Sequence, residues 1–219
     1  MGSQGSQPGR VMAQTGRVLG PRALKTRQRL LDATAQLLRD RSVLDISVVE
    51  IARKAETSPA TFYHYFKDVE EATLQLARQA IEEMPAVLEQ IDGSWDGARG
   101  FDTARGIAEA FLQHWETHHA VLLIRNLAAD NGDRRFQKVR RDALAPVLER
   151  LADRILEAQE ASHVSRTLHP FAAAAALGSI LEKLSAHAGE LAHRGISRDD
   201  LIDTCAGILF QVVTGRSLD

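Results

Sequence analysis

The chain has 219 residues, with 27 Lys and Arg against 29 Asp and Glu, a net charge of −2 and a pI near 6.5. That length suggests one or two domains, and the charge lacks the strong overall basicity, a pI above about 9, of the simplest nucleic-acid binders. A lone cysteine, Cys205, excludes an intramolecular disulfide and a thiolate zinc cluster, and no apolar run approaches the roughly 20 residues that span a bilayer, so a cytoplasmic protein with no membrane partner is expected.

The polar N-terminus is read as carrying no secretory signal. Residues 1–22 hold five glycines and two prolines and read as a flexible tail. Arg10, Arg17, Arg22, Lys25, Arg27 and Arg29 all precede the first acidic residue, Asp32. They make either a solvated leader or a basic arm for DNA phosphate or minor groove, with Arg22 and Lys25 as its candidate contacts.

From Ala23 onward the apolar period is helical, and Leu30, Leu31, Ala35, Leu37 and Leu38 share one face of a first helix. No segment alternates as a strand does, so the expected fold class is all-α. Ser47-Val48-Val49-Glu50 fits a capping box. It opens a second helix that buries Val48, Ile51, Ala52 and Ala55. Glu56-Thr57 makes a turn. Ser58-Pro59 is an N-cap followed by proline at the first helical position, opening a third helix to about Tyr65. Asp68 and Glu71 repeat the capping logic for a fourth helix through Leu74, Leu76, Ala80 and Ile81, which Pro85 should kink or end. Beyond the loop Asp92-Gly93-Ser94, helices are expected at about 101–118, 119–128, 133–159, 168–190 and 198–215. Pro146 should bend or split the third of these.

Two short helices joined by a tight turn make a helix-turn-helix, whose second member lies in the DNA major groove. Ala60-Thr61-Phe62-Tyr63-His64-Tyr65-Phe66-Lys67 holds both tyrosines of the chain. Phe62 and Phe66, four apart, take the core side. Thr61, Tyr63 and His64 then project from the other side, where hydroxyls, an imidazole and Lys67 suit phosphate oxygens and base edges.

Residues 46–67, from Ile46-Ser47 through Glu50-Ile51-Ala52 and Ser58-Pro59-Ala60-Thr61-Phe62-Tyr63 to Phe66-Lys67, resemble the N-terminal DNA-binding domain of the TetR family of bacterial transcription regulators. The resemblance covers roughly residues 24–75 without a gap. It implies a helix-turn-helix domain at 23–67 and an effector-binding and dimerisation domain at 68–219, entered through a linker helix at about 68–91. By position, it implies DNA contacts from Ser47, Ser58, Ala60, Thr61, Tyr63, His64 and Lys67. Two departures stand out. Glu56 replaces the usual turn glycine, and Val69 replaces a lysine at the start of the fourth helix, so one phosphate contact is expected to pass to Lys67 or the basic tail.

The resemblance further implies a homodimer held by the last two helices. Their residues carry apolar stripes on their own account: Leu177, Ile180, Leu181 and Leu184 on one, and Leu201, Ile202, Cys205, Ile208, Leu209, Val212 and Val213 on the other. So wide a face calls for two covers, the domain's own core and a partner. Phe111, Trp115, His118, Leu122, Asn126, Phe136 and Phe171 are candidates to line an effector cavity, with Arg125 and Asn126 as polar anchors. His114 and His118 stand four apart, but Trp115 occupies the place where the zinc metalloprotease pattern needs glutamate, so no metal is expected.

No Walker loop, dinucleotide glycine fingerprint or nucleophile elbow is present. No cofactor, no catalytic residue and no enzymatic activity are therefore expected. The reading is a ligand-responsive regulator, chiefly a repressor released from a palindromic operator by a small, mainly hydrophobic effector that shifts the fourth helix. The alternatives are an activator of the same family or a helical interaction module without DNA binding, to which Glu56 and Val69 would point. The near-neutral total conceals an asymmetry. Residues 1–67 carry 11 basic and 5 acidic side chains, net +6, and residues 68–219 carry 16 and 24, net −8. A basic reader is joined to an acidic body that repels DNA from its other faces.

Overall fold

The computed structural model describes residues 18–82 and 84–217, and the regular elements among them are helices. The tail residues Arg10 and Arg17 lie outside the described residues. Two compact units divide between Leu76 and Ala77, inside the fourth helix.

In the first unit, α1 (Pro21–Leu38) buries Leu30, Leu31, Ala33, Thr34 and Leu38, and the Thr34 hydroxyl donates to the Leu30 carbonyl at 2.8 Å. Ala35 and Leu37 of the expected stripe are half-buried. A 3-10 turn (Val43–Asp45) leads to α2 (Val48–Lys54), which the expected capping box opens. Ser47 accepts from the Glu50 amide, and Glu50 accepts from the Ser47 amide. The end of α2 is a Schellman motif: the Thr57 amide reaches the Ala52 carbonyl at 2.9 Å and the Glu56 amide the Arg53 carbonyl at 3.1 Å. That geometry puts Glu56 at φ 53°, a left-handed conformation normally given to glycine. Then α3 (Pro59–Tyr65) starts on the Ser58 cap with Pro59 behind it. The Glu71 amide bonds Asp68 at 2.8 Å at the head of α4 (Val69–Ile81).

In the second unit, α4 stops at Ile81 and Pro85 opens α5 (Pro85–Ile91), where a missing amide costs nothing. The two helices expected at 101–118 and 119–128 are one, α6 (Gly97–Asp130), bent at His118, where φ −114° and ψ 15° leave the helical region. Its bend lies where the sequence suggested a boundary, but the chain never leaves the helix path long enough to form a loop. Helix α7 (Arg134–Glu160) runs through Pro146 without splitting. The helix expected at 168–190 breaks at His187 into α8 (Pro170–Ala186) and α9 (Ala188–Ala192). At His187 the backbone (φ −110°, ψ 16°) departs from helical values while its amide caps the carbonyls of α8. A second capping box, Ser197 with Asp200, opens α10 (Arg198–Thr214).

The core of this unit lies where α6, α7, α8 and α10 meet. Ile107, Phe111, Trp115, Leu122, Val147, Leu151 and Ile155 are at most 1% exposed, and full burial of side chains of this size stabilises by roughly 1.5–3 kcal/mol each.

Candidate nucleic-acid interface

Seven residues make α3, and their spacing decides which way each points. Phe62, Tyr65 and Phe66 lie at i, i+3 and i+4, and all three are buried. The sequence reading assigned Phe62 and Phe66 to the core but gave Tyr65 no role; the i+3 position was the signal for it. Arg27 of α1 sets its guanidinium 5.2 Å from the Phe66 ring centroid, a cation–π contact that pins α1 against the end of α3. Burial pushes the Arg27 pKa below its usual value, against a smaller opposing pull from Glu71.

The opposite side of α3 is open. Tyr63 is 55% exposed, and Ser58, Ala60, His64 and Lys67 are also exposed, with Thr61 half-buried. Ser58 caps the Thr61 amide at 3.2 Å, and the two hydroxyls lie 3.0 Å apart, which fixes the first turn. Ser47 is exposed at the head of α2, and Arg22 and Lys25 are exposed on α1. The helix thus presents phenol and imidazole groups outward on a base of buried rings, and exposed Lys67 follows just beyond its C-terminal end.

Arg41, which the sequence reading did not single out, organises the start of α2. Its guanidinium bonds the Glu50 carboxylate at 2.6 Å and also donates to the Asp45 carbonyl. Glu50 in turn accepts from the Ser47 amide at 3.0 Å and the Ser47 hydroxyl at 2.7 Å. Arg41 first, then the Ser47 groups, hold the Glu50 carboxyl at a pKa of about 2. No sequence pattern marks a partner nine residues away; the loop between α1 and α2 brings it there.

The candidate effector residues of the second unit separate. Phe111, Trp115, Leu122 and Phe136 are buried, and His118 sits half-buried at the bend of α6. Half-buried Asn126 accepts from Arg125 Nε at 3.0 Å. Arg125 is itself only 2% exposed and paired with Glu182 of α8 at 2.5 Å. Desolvation lowers the Arg125 pKa while Glu182 opposes the shift. Phe171 departs from the expectation. It is 45% exposed at the second position of α8, before the helix buries its first side chain at Ala174.

The expected dimer stripe also divides. Leu177, Leu181, Leu201, Cys205 and Leu209 are packed in the chain's own core, and burial raises the Cys205 thiol pKa. Ile180, Leu184, Ile208 and Val212 remain half-buried along the edges of α8 and α10. The wide apolar faces are wide because they turn inward as well as outward. Among the described residues, no group of three or more His, Cys, Asp or Glu is placed to hold a metal, and no helix is long and apolar enough to cross a membrane.

Residues 30–71 match the bacterial regulatory proteins of the tetR family, and residues 88–218 match the tetracyclin repressor-like C-terminal domain. The chain belongs to the TetR family. This TetR-family protein is a regulator of transcription with a helix-turn-helix DNA-binding domain. Solved structures share its fold. The fatty acid degradation regulator FadR from Bacillus halodurans is 15% identical, with a TM-score of 0.63 over 90% of this chain and 97% of its own. FadR from Bacillus subtilis, solved with stearoyl-CoA, is also 15% identical, with a TM-score of 0.63 over 86% and 98%. A protein from Pseudomonas aeruginosa PAO1, assigned as a transcriptional regulator, is 18% identical, with a TM-score of 0.69 over 90% and 93%. The matched spans, 86–90% of this chain, take in residues of both units.

Proposed function

We propose that this TetR-family regulator is a ligand-responsive repressor. A homodimer sets two copies of α3 in successive major grooves of a palindromic operator, about 34 Å apart. Binding of a small, mainly hydrophobic effector by the C-terminal unit releases it. The observation that carries the reading is the division of α3 and the two residues after it: buried Phe62, Tyr65 and Phe66, and exposed Tyr63, His64 and Lys67. Ser58, Ala60 and Thr61 supply contacts at its first turn, and Ser47, Arg22 and Lys25 supply phosphate contacts around it. The net charge of +6 on residues 1–67 favours that surface over every other.

The partner-facing surface is the half-buried row Ile180, Leu184, Ile208 and Val212. The large apolar side chains of α6 and α7, Phe111, Trp115, Leu122 and Phe136 with His118 and Asn126 beside them, favour an apolar effector. A neighbour of the same fold was solved with stearoyl-CoA, which lends the same support. α4 belongs to both units, so a strain in the effector unit has a covalent route to the reader. Coupling of this kind is typically about 1–3 kcal/mol and reciprocal.

A gel shift on genomic fragments between 50 and 200 mM salt tests the reading. Retention should fall steeply, by roughly 10³-fold or more for six or more phosphate contacts. Binding that ignores ionic strength, or none to any fragment, overturns it. A reporter behind the recovered operator then separates repression from activation.

A further inference from the structure

The buried aromatic residues of α6 face one way; another side of the same helix opens on a separate space. Leu112, Glu116 and His119 form one wall of a cleft of about 440 Å³, closed by Ser185 of α8, by α9 and by the start of α10. That volume lies within the range of small-molecule sites, roughly 300–1,000 Å³. The α9 wall is built from Ala188, Gly189 and Ala192, and a Cβ placed on Gly189 would meet nothing within 4 Å. Ile196 and Leu201 complete an apolar floor with Leu112.

The rim sets the charge. Arg198, first residue of α10, reaches three acceptors spaced along α6: Glu116 at 3.0 Å, Glu109 at 3.4 Å and Gln113 at 3.5 Å. Arg105, its neighbouring cation, lies 2.8 Å from Asp203, 3.5 Å from Asp199 and 3.8 Å from Glu109. In this network two guanidiniums serve four carboxylates. Glu116 is the carboxylate that lines the cleft.

We propose that the cleft binds a small amphipathic organic cation, its apolar body against Leu112, Ile196 and Leu201 and its ammonium on Glu116. When the ammonium takes Glu116, Arg198 keeps Glu109 and Gln113, so no guanidinium is stranded. An organic anion reaching for Arg198 would instead enter a network already two carboxylates in excess. The cleft also lies between the bend of α6 at His118 and the α8–α9 break at His187, which His119 Nε2 bridges through the Ala186 carbonyl at 3.0 Å. Occupancy therefore acts on the bend of α6 and the head of α10. Its regulatory meaning rests on the ligand-responsive reading above; binding itself does not.

Calorimetric titration of the full chain with 4-phenylbutylammonium tests the site, with 4-phenylbutanol and 4-phenylbutyrate as neutral and anionic isosteres. The cation should bind saturably, the alcohol about tenfold more weakly, and the anion not measurably. Glu116→Gln should remove that tenfold preference, and Ala192→Leu, which narrows the cleft, should weaken the cation and the alcohol alike. Arg198→Ala should tighten the cation by threefold or more, about 0.65 kcal/mol, by leaving Glu116 uncontested, whereas an Arg198 that merely holds the cleft together would weaken it. Thermal melts confirm that each variant is folded. No binding by the cation, equal binding by the anion, or an undiminished preference in Glu116→Gln overturns the proposal. Gel shifts of the same preparations report on the regulator reading separately: DNA retention without cation binding refutes the cleft alone.

Discussion

Replacing Glu56 with glycine is the sharpest test of how the reader domain is built. Glu56 occupies the left-handed position of a Schellman motif, at φ 53°, with the amides of Glu56 and Thr57 both committed. Holding a residue with a Cβ there costs about 1–2 kcal/mol. Glycine removes that cost but adds roughly 0.5–1 kcal/mol of unfolded-chain entropy. The net is a gain of about 0.5–1 kcal/mol, or several degrees in Tm for a unit of this size. The substitution also deletes an exposed negative charge between α2 and α3. At a distance of about 10 Å from a phosphate, in water, that charge repels by about 0.4 kcal/mol, or roughly twofold in affinity per subunit. Glu56→Gln separates the two effects, since it keeps the strain and loses the charge. Both tryptophans, Trp95 and Trp115, lie in the second unit, so tryptophan fluorescence does not report on this turn. Hydrogen exchange of the α2 and α3 amides under urea does. Glu56→Gly should slow exchange in these helices and tighten DNA at low salt; Glu56→Gln should only tighten DNA. If the glycine variant is no more protected than the glutamine one, the strain argument is wrong.

Three further outcomes follow from particular contacts. Tyr63→Ala should lose DNA retention in a gel shift while leaving the melt unchanged, because the side chain is 55% exposed; Phe62→Ala, at a fully buried ring, should cost about 3–5 kcal/mol by the same melt. The depressed Glu50 carboxyl, about 2 against an ordinary 4.5, contributes stability that is complete above pH 4.5 and lost as pH falls toward 2. Arg41→Ala should lift the folded-state pKa back toward 4.5 and so flatten that pH dependence, read as α2 amide exchange between pH 2 and 6, and an unchanged profile would show that Arg41 does not hold Glu50. Glu182→Ala leaves Arg125 buried without its carboxylate and should destabilise by about 3–5 kcal/mol in urea denaturation. The pair Arg125→Met with Glu182→Leu should recover most of that loss, and a double variant as unstable as the single one would refute the charge explanation.

The N-terminal unit was legible because its signals are local. Ser47 with Glu50, Ser58 with Pro59 and Asp68 with Glu71 satisfy backbone groups within one turn of themselves, so each can be read from a few consecutive residues. The outward face of α3 followed from the same short range, with Phe62 and Phe66 fixing the inward one. Arg41 escaped because its carboxylate lies nine positions on and only the intervening loop closes the distance. The bend at His118 was half-visible: the sequence suggested two helices, and the structure keeps one.

The sequence by itself determined the all-helical class, the caps, the turn at Glu56 and the family, since all depend on spacing along a chain segment. Tertiary structure decided which apolar residues of α8 and α10 turn inward. Leu177 and Leu181 are buried in the chain's own core, whereas Ile180 and Leu184 keep partial exposure on the same helix. It also decided that Arg125 meets Glu182 and that Phe171 stands in the open. Hydrophobicity records that a side chain should leave water, not which neighbour covers it. That choice is made only when helices distant in sequence pack together.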